Sequence, residues 1–443
     1  MILEGWGRYP RLVSEVHDCA TPAAVAEATR HLPGLIARGN GRSYGDAALG
    51  DAATLMCRGL GRMKSFDPET RLLTVEGGTM LSDILDAFVP RGYFPPVVPG
   101  TKFVTVGGMI ASDVHGKNHH RDGGFGAHVA HFKLVLPDGG VLTCSRDENS
   151  ELFFATIGGM GLTGVIIEAS FHLNRIETGW ISQETVVARD LGEALLALQA
   201  VNDTSYSVAW IDCLSRGASL GRSLIFAGEH ATREQLTARL PAADAFPPQK
   251  KAKLALPLDF PAWALNRASV SLFNEAYFRA GARKSAAPSL VHWNPYFFPL
   301  DGIGQWNRLY GKSGFLQHQC VVPDNNALSV LGEILQRFAA SGKGSFLAVL
   351  KKLGSGTGLL SFPTPGYTLA LDLPVTDDVF PLLEEIDRTV VDAGGRLYLA
   401  KDARQSRQTF EAGYPQLPEF RDLRRSIGAD HRFGSRLATR LGI

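Results

Sequence analysis

Residues 157–173 read IGGMGLTGVIIEASFHL and hold the only G-x-G-x-x-G spacing of the chain, Gly159-x-Gly161-x-x-Gly164. In a doubly wound dinucleotide fold this spacing joins a strand to a helix, so that the helix N-terminus meets a pyrophosphate. Here the residues that follow, Val165–Leu173, are β-branched and alternate in polarity, which is the pattern of a strand. The Rossmann reading fails on that context. A Walker A loop is absent too, since Gly311-Lys312-Ser313 has Trp306 where the first glycine belongs. No G-x-S-x-G elbow, H-E-x-x-H or Cys/His metal spacing is present, and no metal is expected.

Outward from this stretch, glycine is unevenly spread: 26 of the 48 glycines fall in the first 179 of 443 residues. A regional excess marks backbone that turns sharply or approaches a ligand. The 45% hydrophobic and 20% charged composition is that of a globular protein and excludes disorder. A net charge of +1 gives no reason to expect nucleic acid. The five scattered cysteines form no C-x-x-C, which argues against zinc ribbons, iron–sulfur clusters and a disulfide scaffold. The start, MILEGWGRYP, has neither a basic n-region nor an apolar h-region, so no signal peptide is seen. The longest uncharged stretch, 353–371, contains four glycines and two prolines and is a poor membrane span. The expected location is cytoplasmic, or peripheral at a membrane.

Thr21 and Pro22 predict an N-cap and first turn for a helix carrying Val25, Ala28 and Leu32. Strands are expected at 35–38, 72–76 and near 132–136, and a helix at 81–88. After Arg175 the glycine density falls. Amphipathic helices are predicted at 190–201, 325–340 and 378–392, the last stopped by Gly394–Gly395. Strands are predicted between them at 206–212, 223–227, 315–322, 345–351 and 367–373. A sheet with helices on one face, α+β, is the natural reading. Residues 245–290 carry seven Lys/Arg and two acids among prolines and large apolar residues (Leu254, Leu256, Leu258, Phe260, Trp263). This is either a solvated loop with a few anchors or a mobile lid suited to a lipid phosphate or a membrane surface.

Gly39, Gly41 and Gly45, with Ser43, belong to a loop able to point successive backbone N–H groups at an anion, and Gly107–Gly108 offer the same at a helix start. Taken together, such loops favour a cradled pyrophosphate over isolated tight turns. His119 and His120 are adjacent and diverge on regular structure, so they make a poor metal pair, and His115 reads as a hydrogen-bonding group near a cofactor. Gln317 and Gln319 share one face of a strand, Lys351 ends another apolar run, and Tyr398 and Lys401 lie in RLYLAKDAR.

GNGRSYGD (39–46), PGTKFVTVGGMIASDVHGKNHH (99–120), GGMGLTG (158–164), PLDGIGQWN (299–307) and GGRLYLAKD (394–402) together resemble the flavin-dependent decaprenylphosphoryl-β-D-ribose 2′-oxidases of the vanillyl-alcohol-oxidase (PCMH-type) FAD family. The likeness runs nearly end to end. It implies a two-domain PCMH-type FAD-binding fold with an antiparallel-sheet substrate domain covered by helices. Residues 1–178, completed by the tail 402–443, would bind FAD. Residues 179–401 would bind substrate, with a mobile lid around 245–290.

The FAD contacts implied are Arg38, Gly39, Asn40, Gly41, Arg42, Ser43, Tyr44, Pro99, Gly100, Thr101, Thr105, Gly107, Gly108, Ser112, His115, Gly116, Asn118, Ile166 and Tyr398. Relatives with covalent FAD place a histidine at the position of Arg42. Arg42 has no nucleophilic ring nitrogen, so non-covalent FAD is expected. The implied substrate pocket comprises Tyr44, Lys117, Trp210, Gln317, Gln319, Lys351, Tyr398 and Lys401, with Lys401, Tyr398 and Gln319 as the catalytic set. Lys401 would stabilise a developing alkoxide or act as base, and Lys117 or Lys351 would hold the phosphate.

The activity implied is oxidation of the 2′-hydroxyl of a polyprenyl-phosphate pentose to a ketone, the first half of a ribose-to-arabinose epimerisation. A nicotinamide-dependent reductase would be the functional partner. An alditol or sugar-lactone oxidase with a soluble substrate, and a non-catalytic flavin- or lipid-carrier-binding protein, are the alternatives. One departure stands out. The family carries a cysteine beside the flavin where this chain has Ala370, and an asparagine where it has Thr368. Inhibitors that trap that cysteine should therefore fail to bond covalently here.

Overall fold

The computed structural model describes residues 1–249, 254–261, 265–285 and 287–443. Its N-terminal portion is built on two sheets. Strands Glu15–Asp18, Ala53–Met56 and Leu35–Arg38 form a parallel sheet in that spatial order. Parallel neighbours need a crossover of about a dozen residues. Residues 39–52 supply the connection from Leu35–Arg38 to Ala53–Met56, so the first glycine loop leaves the carboxyl end of a parallel strand. The second sheet is antiparallel, in the order Val141–Ser145, Val129–Val135, Val165–His172, Leu72–Glu76, Met63–Asp67. The strand after the G-x-G-x-x-G spacing therefore lies in the middle of a sheet, as its alternation predicts.

The remainder is organised by an eight-stranded antiparallel sheet. Its order is Ser289–His292, Trp180–Ala188, Ser223–His230, Tyr206–Ile211, Val349–Leu353, Gly366–Pro374, Phe315–Pro323, Arg396–Leu397. Alternation along the strands sorts its two faces. Leu316, Cys320, Val322, Leu350, Leu369, Leu371 and Leu373 join a core with Leu191, Leu198, Leu331, Ile334, Phe338, Leu383 and Ile386 from helices Leu191–Ala200, Ala327–Ser341 and Val379–Asp392. The residues between them, at 317, 319, 351, 368, 370 and 372, point the other way. This is the α+β arrangement, with these three helices on one face of the sheet.

Local signals for these elements are obeyed. Thr21 accepts from Ala24 N and caps helix Pro22–His31, and Asp190 accepts from Glu193 N and caps Leu191–Ala200. Gly394, with φ +78°, follows helix Val379–Asp392 within two residues. Strand Val349–Leu353 begins later than the 345–351 run suggests, because Ser345–Leu347 serve the neighbouring loop.

The tail returns to the N-terminal portion. The Leu35 N–H donates to Arg432 O and the Gly434 N–H to Leu35 O. The Arg440 guanidinium holds Asp46 at 2.9 Å and Asp402 at 2.9 Å. Arg424, 2% exposed, donates to the carbonyls of Leu162 and Phe433.

Within 245–290, Trp263 and the rest of 262–264, with 250–253 and 286, lie outside the described residues. The described part corrects the loop reading: Arg267–Lys284 is an 18-residue helix capped by Asn266. Its apolar residues are spread around the circumference instead of forming one stripe, and only Val270 and Asn274 are buried. No 3.6-residue period therefore announces it. Asn274 donates to Asp212 Oδ1 at 2.7 Å and Arg222 bridges Asp212 and Glu275, which pins the helix to the eight-stranded sheet. Leu254 and Leu258, expected as anchors, are 72% and 74% exposed, as is Leu272 at 73%.

Candidate active site

A cavity of about 920 Å³ lies between the glycine loops and the opposite face of the large sheet, which helix Arg267–Lys284 partly covers. The loop wall is set by backbone constraints. A Cβ on Gly39 would meet Thr105 Oγ1 at 2.2 Å, so the first and second glycine loops touch through that position. Gly41 has φ +62°, and a Cβ there would lie 2.3 Å from the Arg38 guanidinium. The N–H groups of Asn40, Gly41, Arg42 and Ser43 take no partner among the described residues. At the second loop the Gly107 N–H donates to Gly77 O, and Thr105 caps helix Val106–Ala111 by accepting from Gly108 N. The Gly107 and Gly108 N–H groups are therefore engaged, while those of the first loop are available to an anion. Two other contacts fix it: Tyr44 N donates to Ala400 O and Trp6 N to Ser43 O.

The sheet wall follows from register. Gln317 pairs with Asp372 and Gln319 with Ala370 on one side, and Lys351 pairs with Thr368 and Val349 with Ala370 on the other. Directly paired residues project to the same face. Gln317, Gln319, Lys351, Thr368, Ala370 and Asp372 therefore share one surface of the cavity. Gln317 donates to Asp372 Oδ1 at 2.5 Å, and the Gln319 amide donates to Thr368 Oγ1 at 3.2 Å and to His115 Nε2 at 3.0 Å. The segment after strand Arg396–Leu397 closes this wall: Tyr398 N donates to Gln319 O, and the Lys401 ammonium sits 3.6 Å from the centre of the Tyr44 ring.

Three lysines face this space. Burial lowers the Lys117 ammonium to about 7, with the charge of Lys351 adding to the effect, and lowers Lys351 to about 8. Burial also lowers Lys401, against the pull of Asp372, and raises the Asp372 carboxyl, against Gln317 and Lys401. Lys117 Nζ donates to Tyr296 O and lies 4.1 Å from the centre of that ring. The Tyr398 hydroxyl donates to Ser112 O at 2.9 Å, and its ring stacks on Phe362 and packs on His115. Tyr398 therefore contributes a wall and a fixed backbone contact, since its hydroxyl is already engaged.

Of the FAD and substrate contacts that the resemblance implies, the lining includes all but two. Arg38 does not reach it: its guanidinium donates to Glu4 O and Ala48 O and supports Gly41 from behind. Asn118 does not either, because its amide donates to Pro96 O and Asp122 Oδ2. Sequence reasoning missed Trp6, Asp301 and Asp372. Arg42 stacks over Trp6 at 3.8 Å, and Asp301 accepts from Thr101 Oγ1 and Lys102 N, both at 2.8 Å. Asp372 had a visible signal, a carboxylate in the apolar alternation of GYTLALDLP on the face of Thr368 and Ala370. Among the described residues no group of His, Cys, Asp and Glu is arranged to hold a metal.

A family model described as an FAD binding domain matches residues 15–145, which include both glycine loops. The decaprenylphosphoryl-beta-D-ribose oxidase of Mycolicibacterium smegmatis is 38% identical over 450 residues, covering 99% of this chain and 97% of that relative. An uncharacterised Streptomyces coelicolor protein from the mprA 5′ region is 36% identical over 377 residues, 82% of this chain and 100% of its own. Mouse L-gulonolactone oxidase is 31% identical over 150 residues, 32% of this chain and 33% of its own. The residues present fit FAD: unpartnered backbone donors and side-chain-free glycines suit a pyrophosphate, and the cavity continues from there to the polar sheet face. On this end-to-end match the chain belongs to the decaprenylphosphoryl-beta-D-ribose oxidase family of FAD-dependent oxidoreductases.

Proposed function

We propose that the protein oxidises the 2′-hydroxyl of a polyprenyl-phosphate pentose to the 2′-keto sugar, the first half of a ribose-to-arabinose epimerisation that a separate nicotinamide-dependent reductase completes. The observation that carries this reading is the likeness, over 99% of the chain, to a decaprenylphosphoryl-beta-D-ribose oxidase. The cavity chemistry agrees with it. Bound FAD supplies the acceptor for the hydride that leaves the alcohol carbon. Lys401 holds the hydroxyl and receives its proton, because an amine whose pKa burial has brought down exchanges protons near neutrality. Gln319 orients the sugar from the sheet wall. Lys117 and Lys351 offer the phosphate two cations that no carboxylate in their surroundings neutralises.

FAD is held without a covalent bond, since Arg42 presents a guanidinium stacked on Trp6 and no ring nitrogen. The division into an FAD domain of 1–178 with 402–443 and a substrate domain of 179–401 is supported by the hydrogen bonds between Leu35 and the tail at 432–434. No helix among the described residues is long and apolar enough to cross a membrane. Peripheral contact is supported by exposed Leu254 and Leu258, and by exposed Leu272 and Phe273 on the helix that carries Arg279, Arg283 and Lys284 and lines the cavity with Val270 and Tyr277.

The reading is tested by adding decaprenylphosphoryl ribose to the holoenzyme without oxygen. The flavin colour should bleach; yellow that persists with this and every other alcohol tried removes the enzymatic reading. Alanine at Arg279, Arg283 and Lys284 should weaken use of the long-chain substrate more than of a short soluble analogue. Equal effects would reject the membrane-facing role.

A further inference from the structure

The cavity is lined by two carboxylates, Asp301 and Asp372, among the described residues. Asp301 is committed to Thr101 Oγ1 and Lys102 N. Asp372 is 1% exposed and accepts one side-chain hydrogen bond, from Gln317. Strand Phe315–Pro323 runs between strand Gly366–Pro374, which carries Asp372, and strand Arg396–Leu397, which leads to Lys401. Asp372 and Lys401 thus approach Gln317 and Gln319 from opposite sides and line one cavity. Burying a carboxylate is costly unless a cation or donors compensate it. Burial outweighs the compensation at Asp372, whose carboxyl is raised, and Lys401 is the cation whose charge pulls against that rise.

We propose that Asp372 is a positioning residue for the oxidation: its carboxylate is the counter-charge that steadies Lys401 as that lysine takes up the proton that leaves the substrate hydroxyl. The inference rests on the oxidative reading for its chemistry. Oxidation breaks the carbinol C–H and O–H bonds and forms C=O. The hydride is taken by the flavin. The proton goes to the free amine of Lys401, which becomes an ammonium facing the Asp372 carboxylate, so the pair ends the step with one more proton than it began. The other charged or ionisable groups around the pair are Lys351 from the adjoining strand, His115 from the second glycine loop, Tyr44 from the first, and Tyr310. The other carboxylates nearby are already engaged, Asp402 by Arg440 and Asp301 by Thr101 and Lys102.

The test reads Lys401 directly and needs no substrate. The holoenzyme and its Asp372→Asn variant are treated briefly with acetic anhydride over a range of pH, and acetylation of Lys401 and Lys351 is followed by peptide mass spectrometry. A nearby opposite charge moves a pKa by about 1–3 units. The Asn variant should therefore acetylate Lys401 with a midpoint lower by about one unit or more, so that labelling at pH values well below the wild-type midpoint rises about tenfold. Lys351 should keep its midpoint, and Asp372→Glu should restore that of Lys401. An unchanged Lys401 midpoint overturns the proposal, and so does an equal movement of both lysines, which would report loosening of the site. A substrate other than a polyprenyl pentose would leave this result intact, so the two readings fail separately. With any bleaching substrate, the acid limb of the rate profile should move with the Lys401 midpoint in the Asn variant.

Discussion

The Gln319 amide nitrogen lies 3.0 Å from His115 Nε2, joining the substrate-side sheet to the cofactor loop across the cavity. An amide N–H donates, so Nε2 accepts and the ring proton resides on Nδ1. Burial, then the charges of Lys351, His119 and Lys401, hold the pKa of His115 well below the ordinary histidine range. Side-chain ¹⁵N NMR of the holoenzyme should show a neutral Nδ1–H imidazole from about pH 8 down to about pH 5. A His115 that protonates near pH 6 would contradict this pairing.

His119 and His230 are also buried neutral, at about 3 and about 4, with burial the main cause for both. Their folded pKa values lie below the unfolded value of about 6.5, so between these limits the unfolded chain binds more protons and stability falls with pH. Each histidine removes up to about 1.4 kcal/mol per pH unit in that window and nothing above it. His230 packs on Phe94, Tyr206 and Phe297. His230→Phe should therefore flatten the decline of melting temperature between about pH 6.5 and pH 4.5. A curve parallel to that of the wild type would show that His230 is not a source of acid lability.

Lys401→Ala should leave FAD bound, because the loop donors at 40–43 and the glycine contacts do not involve it. Turnover should drop by about 10²–10⁴-fold, the usual contribution of a positioned proton-transfer group. The flavin absorbance after gel filtration separates loss of chemistry from loss of cofactor. Retained turnover would place the proton acceptor elsewhere.

Acid precipitation should release the flavin into the supernatant. A yellow pellet would mean a covalent bond, for which Arg42, stacked 3.8 Å over Trp6, provides no nucleophile.

All five cysteines are buried and free; Cys57 lines the cavity beside the glycine loops, and Ala370 lines it on the sheet face. The native holoenzyme should therefore react with few or no equivalents of a thiol reagent, and Ala370→Cys should add one. Substrate should protect that thiol. A thiol at 370 that reacts no faster than the native five would place this position away from the substrate path.

Much of the N-terminal portion is legible from consecutive residues. The Leu35–Arg38 and Leu72–Glu76 strands and the Leu81–Phe88 helix occur where the residue pattern puts them. The glycine loops are equally readable, because a positive φ at Gly41 or a 2.2 Å approach to Gly39 is a demand met at a single position. The Arg267–Lys284 helix was hidden because its apolar residues follow no face; capping and the Asn274–Asp212 and Arg222–Glu275 contacts hold it instead.

By itself, then, the sequence determined which residues turn, which alternate, and that side-chain-free backbone surrounds an anion. Only tertiary structure decided which charges share a cavity. Positions 317, 372 and 401 meet because one strand pairs on both sides in a fixed register, and a shift of one residue would turn Asp372 and Gln317 into the apolar core. Arg38 and Asn118 show the converse, since each stands in a cofactor motif and is turned by its hydrogen bonds to support the wall from outside. Backbone demands are local and survive in the order of residues. Register and long-range burial are collective, and they set the charge of Lys401.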